Sequence, residues 1–206
     1  MKLYFTPEAC SMAPHIVLRE LNVPFQLIQV DHATKTTSAG EDYWSINPHG
    51  YIAALMLDNG EVLTESSTIL EFLADLKPAA GLAPPSDSWQ RVRLRECLSF
   101  LSCELNCAMS PLFRDIPQQV RDQIYTRLFR RVDSLNQTLS QQPYLLGEAF
   151  SVADAYLYTL LRWLDWFSID LGRWPALAAY QERIGARPSA QAALAAELNG
   201  KSPRTH

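Results

Sequence analysis

No apolar run in this 206-residue chain comes near the length of roughly 18 residues that a membrane-spanning helix requires. The best candidate, residues 155–167, is broken by Arg162 and Asp165, so no membrane span is expected. The long apolar core of a signal peptide is also missing: one lysine precedes a strand-like Leu3-Tyr4-Phe5, and Pro7 follows at once. Basic residues are in deficit. Lysine and arginine number 18 against 22 aspartates and glutamates, and a net charge of −4 offers no electrostatic footprint for nucleic acid or an anionic membrane. Charged residues make up only 19% of the chain and hydrophobic residues 48%, which excludes intrinsic disorder as the main state. A soluble, cytoplasmic protein is expected.

Cysteine is scarce, at four residues, and no two form a C-x-x-C pair. Without a secretion signal, a disulfide framework is not expected. Cys103 and Cys107 stand four apart, which puts them on one face of an expected helix. That is a metal-ligand spacing in principle, but His15, His32, His49 and His206 are remote in sequence. Buried helical thiols are the simpler reading, and no metal is expected.

The pattern of elements changes near the middle of the chain. Residues 77–87 carry three prolines and no amphipathic period, which reads as a linker. The expected division is a first domain at 1–77, a linker at 78–87 and a second domain at 88–206. In the first part, 2–5 and 25–30 read as strands around a helix near 11–21. Segments 53–57 and 61–63 flank Asp58-Asn59-Gly60, a tight hairpin signal. A helix over 69–76 follows, with Thr64-Glu65-Ser66-Ser67 at its start. Strands joined through a helix run parallel and hairpin strands antiparallel, so the expected sheet is mixed. Beyond the linker only helical periods remain, among them Leu94, Leu98, Leu101 and Leu105, and Val152, Tyr156, Leu160 and Leu164. The fold class is therefore an α/β domain followed by an all-α domain. The arginines at 91, 93, 95, 121, 127, 130 and 131 read as solvated helix faces.

Three places carry chemistry. Cys10 follows the first strand and precedes the first helix, where free N–H groups and the helix dipole favour a thiolate. A dithiol oxidoreductase needs a second cysteine at Ala13, so Cys10 is monothiol and any redox cycle must borrow a sulfur from a small thiol. Glu65 and Ser66 open a helix and offer N–H groups and a hydroxyl to an anion and a carboxylate to an ammonium, although ordinary capping explains them equally. Ser151 and Asp154 form a capping box, so Asp154 is structural, with about 1 kcal/mol or more resting on it.

The Cys10-Ser11 helix start, the Asn47-Pro48-x-Gly50 turn, Glu65-Ser66 and the Ser151–Asp154 box together resemble glutathione transferases. Cys10, Lys35, Glu104-Leu105, Ser110-Pro111-Leu112-Phe113-Arg114 and Ala153-Asp154-Ala155-Tyr156-Leu157 bring the bacterial beta class closest. The resemblance implies a thioredoxin-like first domain with a four-stranded sheet, a helical second domain and a homodimer. It implies glutathione as co-substrate between the domains, with no tightly bound cofactor, and conjugation of small hydrophobic electrophiles in detoxification. Reduction of hydroperoxides or mixed disulfides through Cys10 goes with it. On this likeness Cys10 meets the glutathione sulfur, Glu65 and Ser66 hold the γ-glutamyl end, and the Ile52 backbone pairs with the cysteinyl part. Lys35 approaches the glycyl carboxylate, and Glu104 and Asn106 come from the helical domain. Phe5, Met109 and Phe113 would line the electrophile pocket, with Trp163 and Trp166 more simply core.

The sequence departs from the beta-class pattern at Phe5, Ala53, Ser99 and Asn106. Asn106 can donate a hydrogen bond but cannot act as a base. Where the class has a cis proline, Ala53 stands. A cis bond costs about 2.5–4 kcal/mol before alanine against about 0.5–1 kcal/mol before proline, so a trans Ile52–Ala53 bond is expected. Ala53 and Asn106 favour a glutathione-fold binding protein with little turnover, whereas Cys10, Glu65 and Ser66 speak for a transferase and against a pure interaction module.

Overall fold

The apolar run at the N-terminus does form a strand, β1 (Lys2–Phe5), with Leu3, Tyr4 and Phe5 buried. The computed structural model describes residues 1–198; residues 199–206, including His206 and the end of the expected second domain, lie outside the described residues. After α1 (Met12–Leu21), β2 (Gln26–Gln29) returns parallel to β1 with Leu3 opposite Leu27. β3 (Ala54–Met56) and β4 (Val62–Thr64) form the expected hairpin, and Gly60 takes the positive φ of 88° that the Asp-Asn-Gly turn requires. β3 pairs antiparallel with β1, giving a mixed four-stranded sheet in the order β2-β1-β3-β4. Tyr4, Val30, Tyr43 and Ala54 pack together as one buried cluster of this unit. α2 (Ser66–Leu76) starts three residues earlier than its apolar period indicates and buries Ile69, Leu70 and Leu73.

The chain divides into two units: Met1–Ala80 together with residues from 186 on, and Gly81–Gly185. The first break falls inside the expected linker, next to a short 3₁₀ turn at Pro78–Ala80. The second corrects the expected division, because α9 (Pro188–Leu198) packs on α1 rather than staying with the helices that precede it. Small buried residues, Ala190 and Ala193, allow the close approach. Arg187 at the start of α9 makes a two-pronged pair with Glu20 at 2.8 and 3.0 Å.

The second unit is helical among the described residues: α3 (Trp89–Phe100), α4 (Cys107–Met109), α5 (Gln118–Leu139), α6 (Val152–Leu161), α7 (Trp163–Trp166) and α8 (Pro175–Gly185). The leucine period from 94 to 105 is not one α-helix. Leu101–Asn106 is a wider π-helical turn inserted between α3 and α4. Arg91 also departs from the expected solvated face: it is 2% exposed, and its guanidinium donates to the Pro84 carbonyl at 2.6 and 2.9 Å. The box at α6 forms as expected, with Asp154 accepting from the Ser151 N–H and hydroxyl at 2.8 Å each. Asp154 accepts two further bonds that sequence did not indicate, from the Leu145 N–H (2.9 Å) and the Tyr180 hydroxyl (3.0 Å).

Candidate functional site

Cys10 lies in the turn between β1 and α1, two residues before the helix begins. Its Sγ–H donates to the Ile52 carbonyl oxygen at 2.7 Å. Burial pushes the thiol above its ordinary value, while a hydrogen bond from Ser66 and backbone N–H groups, Ala53 among them, pull the other way without overcoming it. The balance favours the thiol over the thiolate that the helix dipole alone leads one to expect. The dipole argument is outweighed by desolvation.

Cys10, Ile52, Ala53, Glu65 and Ser66 come together, all in the first unit. Ser66 is buried at the first turn of α2 and Glu65 is exposed at its N-cap with φ of 66°, a left-handed conformation that is uncommon for a residue with a side chain. The Ile52–Ala53 bond is cis, not trans as expected. The chain there is held on both sides: the Tyr51 carbonyl accepts from the Tyr43 hydroxyl and from Asn47 Nδ2 at 2.7 Å each, and Ala53 is buried. These tertiary contacts, which residue type alone does not reveal, outweigh the local preference for trans. Burial also pushes the Tyr43 phenol up to about 12. Asn47 was visible in the Asn47-Pro48-x-Gly50 turn; Tyr43 carried no signal.

A second set of groups supports this loop from behind. Glu197 on α9 is fully buried, accepting the Glu8 N–H at 2.9 Å and facing His15 Nδ1 at 2.9 Å. Arg19 Nε–H donates to His15 Nε2 at 2.9 Å, so that nitrogen holds the lone pair and Nδ1 carries the proton donated to Glu197. Glu8 takes φ of 61° only two residues before Cys10.

Other predicted residues are placed differently. Lys35 sits in the loop after β2 with φ of 54°, its N–H on the Asp31 carbonyl, and no hydrogen bond among the described residues joins it to the Cys10 cluster. Burial lowers its ammonium pKa, against the opposing charge of Asp31. In the second unit Glu104 is gripped by Arg131, whose Nε lies 2.6 Å away, and Asn106 Nδ2 donates to the Tyr156 hydroxyl at 2.8 Å. Phe5 and Met109, expected to line a pocket, are 4% and 1% exposed and packed as core. Phe113 is open, edge-on to Trp163, Trp166 and Phe167 at 4.8–5.7 Å between ring centres. Trp163 is core, as expected, but Trp166 is 48% exposed. Cys103 and Cys107, expected to be buried, are both exposed.

Among known families, the glutathione S-transferase N-terminal domain matches residues 9–76 and the glutathione S-transferase C-terminal domain matches residues 100–188. Glutathione S-transferase GstA of Escherichia coli O157:H7 is 38% identical, over 96% of this chain and 98% of that one. A sphingomonad glutathione S-transferase solved with glutathione superposes with a TM-score of 0.93 at 44% identity, covering 96% of this chain and 98% of the other. A beta-class glutathione S-transferase from Sphingomonas chungbukensis gives a TM-score of 0.93 at 42% identity, with the same coverage.

Proposed function

This chain belongs to the glutathione S-transferase family, and from that premise we propose that it is a glutathione transferase working on small hydrophobic electrophiles. The observation that carries the reading is the convergence of Cys10, the Ile52 carbonyl, Glu65 and Ser66 at one end of α2. The exposed Glu65 carboxylate suits the ammonium of the γ-glutamyl group, and the α2 N-terminus with Ser66 suits its carboxylate. The Ile52 backbone then serves the cysteinyl part and Lys35 the glycyl carboxylate, both within the first unit. Phe113 and the exposed Trp166 offer apolar surface to the electrophile.

A protonated Cys10 is a hydrogen-bond donor at rest, so the nucleophile of conjugation is the thiol that glutathione itself brings. Cys10 becomes the nucleophile only after losing its proton. Its thiolate then attacks one sulfur of glutathione disulfide, forming a mixed disulfide and releasing the other glutathione as thiolate. No disulfide joins the four cysteines, which fits a reducing, cytoplasmic setting, and a detoxifying role goes with the proposed conjugation. Exposed Trp89 and Val92, three apart on α3, fit burial in a homodimer.

Retention on immobilised glutathione, followed by turnover assays with an aromatic halide and an organic hydroperoxide, tests the reading. Retention with turnover is expected. Retention without turnover would make the chain a binding protein, and failure to be retained would overturn the assignment. Light scattering at micromolar concentration should give twice the chain mass.

A further inference from the structure

Two thiols take no part in the proposed glutathione chemistry. Cys103 lies within the π-helical turn Leu101–Asn106 and Cys107 directly follows it, and both side chains are exposed and outside any disulfide. Residues four apart share one helix face. The rest of the turn is anchored elsewhere: Leu101 and Leu105 are buried, Glu104 is paired with Arg131, and Asn106 bonds Tyr156. The two sulfurs thus stand on a firmly seated turn, and π-helical insertions of this kind cluster at functional sites. The other cysteines offer no such pairing. Burial pushes Cys97 up to about 12, and Cys10 is already committed to the proposed glutathione chemistry.

Among the described residues no group of three histidine, cysteine, aspartate or glutamate side chains is placed to hold a metal ion. The pair therefore does not complete the four-ligand shell that zinc favours. A thiophile satisfied by two sulfurs fits better. We propose that Cys103 and Cys107 form a chelating site for monosubstituted trivalent arsenicals, which carry one carbon substituent and bind two thiols. With an arsenic oxide, each thiol gives up its proton and forms one As–S bond. The arsenic–oxygen bonds break, and the oxygen leaves with both protons as one water. Arsenic remains trivalent, so neither oxidant nor reductant is consumed. Once the first As–S bond forms, the second closes within the chain at high effective concentration. A free monothiol such as glutathione then competes poorly, whereas a free dithiol competes well.

Phenylarsine oxide, added at one equivalent to the reduced full-length chain, is the probe. Intact-mass spectrometry should show one phenylarsenic group per chain, and thiol titration should show two sulfhydryls lost. The adduct should survive millimolar glutathione and be removed by ethanedithiol. Cys103→Ser and Cys107→Ser, changes at exposed positions that leave the core intact, should each make the adduct labile to glutathione, and Cys10→Ala should not. The proposal is overturned by an adduct that resists glutathione equally in wild type and either serine variant. It is also overturned by loss of the adduct in Cys10→Ala, or by its release from the wild type at the rate of the single variants.

Discussion

Cys10 Sγ stands 2.7 Å from the carbonyl oxygen of Ile52, with the sulfur as donor. A thiolate has no proton to offer a carbonyl and would be repelled by it, and burial raises the thiol's pKa in the same direction. The side chain that pulls against burial is that of Ser66, the first residue of α2, and backbone N–H groups, Ala53 among them, pull with it.

Alkylation of Cys10 by iodoacetamide, followed by peptide mass spectrometry without glutathione present, should show a pH midpoint above the ordinary cysteine range. Ser66→Ala should move the midpoint higher still, because the hydrogen bond it removes favours the thiolate. A wild-type midpoint near or below neutrality would contradict a resting thiol. Cys10→Ala should keep its fold and lose the mixed disulfide with oxidised glutathione.

Glu20 provides a pH-dependent tie between α1 and α9. Burial raises its carboxyl, but hydrogen bonds from Arg187 and Ser189 and the charge of Arg187 more than offset this, leaving it below the ordinary glutamate value. A carboxyl depressed in the folded state stabilises above its unfolded pKa, and the gain disappears as pH falls through the folded value. The Tm difference between wild type and Glu20→Gln should therefore be largest near neutral pH and shrink as the solution is acidified below the ordinary glutamate range. A difference that stays constant across that window would remove the ionised Glu20 from the account.

The sheet, the hairpin and the capping box were legible because each is written within a few neighbouring residues: the apolar run Leu3 to Phe5, Asp58-Asn59-Gly60, and Ser151 with Asp154. Helix periodicity did not locate α9 (Pro188–Leu198), because its alanine-rich sequence carries no apolar stripe to read. What escaped depends on contacts across long separations. Glu8 and Glu197 are 189 positions apart, and Glu104 meets Arg131 across 27. The cis bond at Ile52–Ala53 follows the same rule, because alanine argues for trans and only the contacts around Tyr51 and Cys10 argue otherwise. The π turn was hidden by leucines whose spacing fits an uninterrupted helix. The exposed thiols were misjudged because cysteine is apolar by habit and carries no marker of which face it will occupy.

Asp154 accepts from four donors at 2.8–3.0 Å, three more than the single N–H a capping box supplies. A typical N-cap loss costs about 1 kcal/mol. Each buried donor left without a partner costs about 1–3 kcal/mol, and the Tyr180 hydroxyl and Leu145 N–H add to the cap here. Asp154→Ala should therefore lower stability in urea by clearly more than a cap alone, with kcat/KM for glutathione unchanged in whatever fraction folds. A loss no larger than that of an exposed cap would mean that Tyr180 and Leu145 find other partners.

Glu197 joins the last described helix to the turn that carries Cys10. Its two oxygens serve two buried donors, the Glu8 N–H and His15 Nδ1–H, and Arg19 fixes the tautomer that makes His15 a donor. Glu197→Ala strands both donors, at about 1–3 kcal/mol each. Glu197→Gln retains the volume and one acceptor oxygen but turns an amide N–H₂ toward one of the donors, so it should destabilise too, though less than alanine. The positional effect is separate from stability. Glu8 holds its left-handed φ two residues before Cys10, and its N–H is the group Glu197 accepts, so slack at Glu197 passes directly into the thiol turn. Under conditions where the Gln variant is fully folded, its Cys10 should therefore alkylate at an altered rate while Cys103 and Cys107 react as in the wild type. Identical Cys10 kinetics in a destabilised Glu197→Gln protein would reduce this carboxylate to a fastener of α9 with no part in placing the thiol.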